Sequence, residues 1–148
     1  MAETLGSLCD KLTIVKIKQY HVEDKVKKSS LLTQEKQLIE EIDFYIGDAF
    51  SGVIPLEKIT FASNKVFKEK GNKTREFSGG IGDMISELSH INCSLWHEQE
   101  RVYDFESVPV NEKDMVVKKL AILNLERNKC IDEINRQLHQ LLNPDFPL

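Results

Sequence analysis

The sequence predicts an all-α fold, a bundle of four long amphipathic helices with an irregular middle segment. Three observations predict it. Apolar residues recur at spacings of three and four over most of the chain. No alternating strand pattern of any length competes with them. Glycine and proline gather where those periodic stretches end. With 148 residues, 41% of them hydrophobic and 30% charged, the chain suits one soluble domain spanning 1–148. A chain of that size buries roughly 70% of its unfolded surface.

The first helix is expected over about residues 4–28. Leu5, Leu8, Leu12, Val15, Val22 and Val26 share one face, with Gln19 as a polar interruption. "KKSS" is expected to break it. "LLTQEKQLIEEIDFYIGDAF" then starts a second helix, with Leu31, Leu38, Ile42, Tyr45 and Ala49 on one side. Thr33 would suit a slightly later start as a cap. Gly47, Gly52 and Pro55 end this helix or bend the exit from it.

Between residues 55 and 80 the periodicity weakens. "PLEKITFAS" fits a helical turn or a short helix. "NKVFKEKGNKTREFSGG" sets Lys65, Lys68, Lys70, Lys73 and Arg75 against Glu69 and Glu76 alone. It reads as a solvated connection, because a nucleic-acid platform would interleave aromatics with these bases. Ile81, Met84, Ile85, Leu88, Leu95, Trp96 and Val102 make the stripe of a third helix ending near Asp104. The fourth, about 111–142, carries Val117, Leu120, Ile131, Ile134, Leu138 and Leu141 in a heptad-like seam. "NPDFP" stops it.

Charge and cysteine usage exclude several functions. A net charge of −4 and a pI near 5.6 argue against nucleic acid as a partner. Cys9, Cys93 and Cys130 lack C-x-x-C spacing and are odd in number, so they are expected to be reduced. No apolar run reaches the ~18 residues of a membrane span. The opening "MAETLGSLCDK" lacks a basic-then-apolar leader, and a cytoplasmic location is expected.

The stretch most suggestive of chemistry is "HINCSLWHEQE", residues 90–100. At about 100° per residue, His90, Cys93, His97, Arg101 and Asp104 point away from the apolar centre of the third helix. Glu87-x-x-His90 is half of a di-iron pattern, and the sequence offers no second Glu-x-x-His, so no metal or cofactor is expected. Cys93 and His97 stand four apart without a third group to orient them, and no catalytic residue is assigned. Gly79, Gly80 and Gly82 lack P-loop spacing. A helical ribonuclease is excluded because no His follows Arg127 by four to six residues.

Polar residues inside the apolar seams say more: Gln19, Asn92, Gln99, Asn124 and Arg127. If the last two helices form an antiparallel hairpin, Asn92 lies opposite Asn124 with Arg127 about a turn away. Burying such groups unpaired costs on the order of 2–5 kcal/mol, so the layer must be satisfied. One solution is a closed network in which Arg127 pairs with Glu100 or Asp10 and fixes register. The other is a pocket for a sugar or phosphate compound. The candidate ligand-binding residues are Asp10, Lys11, Asn92, Glu100, Asn124 and Arg127.

The same residues carry a resemblance. "GSLCDKLTIVKIK", followed much later by "N..LW" and "N..R...I..IN", resembles a group of small uncharacterised bacterial helical proteins. Their start reads Gly-Glu-Leu-x-Asp-Lys-Leu-Thr-Ile-x-x-Ile-Lys. Matching positions are Gly6, Leu8, Asp10 to Ile14, Ile17, Lys18, Asn92, Leu95, Trp96, Glu100, Asn124, Arg127 and Asn135. The resemblance spans the first helix and the last two, about half of the chain. Ser7 stands in place of the group's Glu, Gln99 in place of an acid, and Val102 or Tyr103 in place of an Arg. The resemblance implies a helical fold and a surface-polysaccharide context, with no established reaction. The function expected is a non-enzymatic protein-binding module, self-associating as a homodimer, with Phe105, Val108 and Val110 as interface residues. The alternative is a binder of, or enzyme on, a sugar or phosphate compound.

Overall fold

Four long helices follow one another in a computed structural model that describes residues 3–62 and 73–145. They are α1 (Leu5–His21), α2 (Lys25–Ser51), α3 (Ile81–Tyr103) and α4 (Lys113–Leu142). Single 3₁₀ turns occur at Leu56–Lys58, Phe105–Ser107 and Val110–Glu112, and no strand occurs among the described residues. The all-α bundle is therefore present. The basic run at Lys65, Lys68 and Lys70 lies outside the described residues.

Local chemistry sets the helix ends. Thr4 Oγ1 accepts from the Ser7 N–H at 3.1 Å, while Ser7 Oγ accepts from the Thr4 N–H at 2.9 Å, a reciprocal cap for α1. The first break falls before "KKSS", not at it. α1 stops at His21, Val22 is extended, and Asp24 caps α2 by accepting from the Lys27 N–H at 2.9 Å. "KKSS" therefore lies inside α2, because an Asp cap just upstream outweighs the modest helix propensity of two exposed serines. Gly52, at φ +83°, ends α2 in the left-handed conformation that glycine adopts without a Cβ clash. At α3 the Asp83 carboxylate reaches back to the Gly80 N–H at 2.9 Å.

The core lies where α1 crosses the α3–α4 hairpin. Leu5 and Cys9 meet Met84, Leu88 and Ile91 of α3, and Leu123, Cys130, Ile131, Ile134 and Leu138 of α4. Here α1 comes so close to α4 that a Cβ on Gly6 would sit 2.4 Å from the Ile131 carbonyl oxygen. The α4 seam is one residue out of phase with the expected one over its first half. Val116 and Leu123 are buried, whereas Val117 is exposed. The Val116-Val117 pair leaves phase ambiguous to periodicity alone.

α2 packs on α1 and reaches the core only through Ile42, Tyr45 and Ala49. Of its 27 residues Ala49 alone is buried. The expected interface at Phe105, Val108 and Val110 is not one surface. Val108 is buried, Phe105 lies under the Lys113 ammonium 4.7 Å from its ring centroid, and Val110 is exposed. No helix among the described residues is long and apolar enough to cross a membrane.

Candidate functional site

The polar residues meet on Asp10. This aspartate is on α1, buried, and held from two sides. From α4, Arg127 Nε donates to Oδ1 at 2.8 Å and Nη2 to Oδ2 at 2.5 Å, a two-pronged grip. From α3, Asn92 Nδ2 donates to Oδ1 at 2.9 Å and to Thr13 Oγ1 at 2.8 Å. Thr13 Oγ1 in turn donates to the Asp10 carbonyl at 2.8 Å. One aspartate thus joins three helices, and a bidentate pair fixes orientation as well as distance. The hydrogen bonds to Asp10 push the Arg127 pKa above the ordinary arginine range, against the opposing effect of burial.

Three of the six candidates, Asp10, Asn92 and Arg127, therefore come together, and three do not. Asn124 faces solvent on α4, a correction to the expected Asn92–Asn124 meeting. With Leu123 in the seam, the next residue is turned about 100° away. Lys11 is exposed and paired with Glu3. Glu100 is exposed and accepts from the Trp96 indole N–H at 2.9 Å, beside a shallow groove that includes His97, Arg101 and Asp104. His90, Cys93 and His97 are exposed, as their helical phase predicts. Among the described residues no three His, Cys, Asp or Glu side chains are placed to hold a metal ion together.

Other buried polar groups lie outside the six candidates. Asn135 Oδ1 accepts from the Gly6 N–H at 2.7 Å, and its Nδ2 donates to Thr4 Oγ1 at 3.0 Å. The start of α1 is thereby moored to α4 beside the Gly6 close approach. Glu98 is buried and paired with Lys119 at 2.9 Å and Arg101 at 3.7 Å. Glu126 is buried and accepts from the Arg75 N–H at 3.1 Å, which ties the segment before α3 to α4. A signal for Glu98 did exist: it continues the seven-residue row Met84, Ile91.

Surface grooves lie elsewhere. One of about 420 Å³ is lined by Lys18, His21, Val22, Lys27, Leu31 and Trp96, with His21 stacked on Trp96 at 4.8 Å between centroids. Another lies between Arg75, His90 and Lys119. Neither is lined by Asp10, Asn92 or Arg127. Chemically, the Asp10 assembly is a closed clamp, its carboxylate oxygens engaged by donors of its own chain. In comparison with known proteins the chain matches no family model, no curated protein and no solved structure.

Proposed function

We propose that this chain is a non-enzymatic helical module that binds protein through the outer face of α2. The observation that carries the reading is the contrast between two apolar rows of that helix, one covered and one exposed. Leu38, Ile42, Tyr45 and Ala49 turn towards α1 or the core, while Leu32, Ile39, Ile46 and Phe50 are exposed in a second row roughly 90° round the helix from the first, with Val53 just beyond the helix end. A surface helix normally confines its apolar residues to the stripe that its own fold covers. A row of exposed apolar side chains along a helix is the kind of feature that marks an interaction surface. The clamp at Asp10 supports the same reading, since it makes the bundle a rigid scaffold and occupies the guanidinium that a sugar or phosphate would need. Three free thiols fit a reducing, cytoplasmic setting.

The test is amine cross-linking in the cells that make the protein, followed by mapping of the joined peptides. Adducts to another polypeptide or another copy are expected through Lys25, Lys28 and Lys36, which flank the outer face. They should vanish in Ile39→Glu/Ile46→Glu, which adds no amine and whose helix content, checked by circular dichroism, should match wild type, since the side chains are 44% and 37% exposed. Absence of α2 adducts in the wild type, or adducts undiminished in the variant, overturns the reading.

A further inference from the structure

We infer that α2 pairs with α2 of a second copy of this chain, antiparallel about a dyad near Ile39 and Glu40, with Lys36 of each copy beside the partner's Asp43. The inference rests on the reading of the outer face as a protein-binding surface and names its partner.

Charge is the first argument. All four α2 lysines (Lys25, Lys27, Lys28 and Lys36) precede Leu38, while Glu40, Glu41, Asp43 and Asp48 follow it. The remaining carboxylate, Glu35, is engaged by Lys16 and Gln19 of α1. The first turn therefore has no acid and the last no base. Apart from the Asp24 cap, this is opposite to what the helix dipole favours, so these charges weaken an isolated α2. An antiparallel copy reverses the sense of both effects. In the register about this dyad it sets Lys36 of each copy along Asp43 of the other and opposes the two dipoles. A parallel copy would set like against like.

Spacing is the second argument. Leu32, Ile39 and Ile46 repeat every seven residues, a seam that runs straight along a helix pair, and Val53 continues the repeat past the helix end. Lys36, Asp43 and Phe50 form the adjoining seven-residue row. About the dyad, Lys36 falls level with the partner's Asp43, Leu32 with the partner's Ile46 and Gly47, and Ile39 with its own counterpart. Lys36 and Asp43 have no ion-pair partner among the described residues of their own chain, so both are available. The helix is about 40 Å long, enough for the seam to be continuous.

Gly47 is the third argument. It sits inside α2, where glycine costs about 1 kcal/mol against alanine. A Cβ built on it meets nothing within 4 Å. No contact among the described residues requires a glycine there. Beside the partner's Leu32, a residue without a side chain lets the two helices approach closely.

The experiment is sedimentation velocity of the full chain over a roughly hundredfold range of concentration. A wild-type dimer is expected, with helix content checked by circular dichroism throughout. Lys36→Glu and Asp43→Lys should each weaken it about tenfold, because each change alters two symmetry-related contacts. The double reversal Lys36→Glu/Asp43→Lys should restore dimerisation to within about threefold of wild type. Gly47→Ala should weaken the dimer too, whereas without an interface it only raises the melting temperature. A wild-type dimer unaffected by the single reversals, or not restored by the double one, overturns the antiparallel register. A wild-type monomer overturns self-pairing. If its α2 lysines then cross-link to a different polypeptide in cells, the protein-binding reading stands without it; if they cross-link to nothing, both fail.

Discussion

Arg127 of α4 holds Asp10 of α1 with both prongs of its guanidinium, Nε on one carboxylate oxygen and Nη2 on the other. Asn92 shares the first of those oxygens from α3. The carboxylate is buried and the guanidinium partly so, and breaking such a pair from one side leaves a charge without its counterpart. Asp10→Ala should therefore cost about 3–5 kcal/mol in urea denaturation, as should Arg127→Met towards the lower end, since its side chain is 31% exposed. Asp10→Leu/Arg127→Met removes both charges and should cost clearly less than the two single changes added together. Strict additivity would mean that the pair is not coupled.

The mooring of α1 predicts two further losses. Gly6→Ala forces a methyl group against the Ile131 carbonyl at 2.4 Å, a backbone atom that cannot step aside. A cost of about 3 kcal/mol, the upper end for overpacking, is expected in the same denaturation measurement. Asn135→Leu strips the Gly6 N–H of its acceptor and should cost about 1–3 kcal/mol. Gly47→Ala in α2 provides the contrast, because no neighbour among the described residues crowds it.

Acid sensitivity follows from carboxylates held in their charged form. Hydrogen bonds from Lys11 and then Ser7 pull the Glu3 pKa below the ordinary 4.5, and those from Arg136 do the same for Glu133. A folded-state pKa below the unfolded value means that the unfolded chain takes up protons first. The stabilisation is thus complete above 4.5 and is lost as pH falls through the lowered values. Arg127 has the opposite sign: its raised pKa stabilises at every pH below the arginine range. Melting temperature should be flat from neutral pH down to about 5 and then fall. Glu133→Gln should flatten the fall; an identical acid limb in that variant would contradict the assignment.

The three thiols should separate cleanly in reactivity. Burial pushes Cys9 up to about 11 and Cys130 up to about 12, while Cys93 is exposed. The thiolate is the nucleophile, so a disulfide reagent at neutral pH should modify one thiol promptly and the other two only on unfolding. Mass spectrometry should place the fast label on Cys93. Fast labelling of Cys130 would mean that α4 opens locally.

Long periodic stretches made the helices legible. α3 begins at Ile81 and α4 ends at Leu142 as expected, because a glycine-rich start and "NPDFP" punctuate them. The α1–α2 boundary was less legible, since nothing in the apolar pattern distinguishes an Asp24 cap from another exposed acid. At the candidate site, Asn92 and Arg127 stood out as polar residues in apolar rows, and Asp10 was one of the two partners foreseen for Arg127. Asn124 was misplaced because two adjacent valines admit two seam phases. Asn135 went unplaced because its role depends on how closely α1 crosses α4, a tertiary distance that no local pattern encodes. The outer face of α2 was present in the sequence as a second apolar row beside the first, visible only once α1 is known to cover just one of them.

Amide hydrogen exchange along α2, followed as a function of protein concentration, tests the central claim most directly. Lys25–Ser51 has a single buried residue and packs mainly on one helix, so in a monomer it should exchange well ahead of α3 and α4. Paired through its outer face, it should gain protection as concentration rises, while the protection of α3 and α4 changes little. Exchange in α2 that is fast and indifferent to concentration would contradict the account.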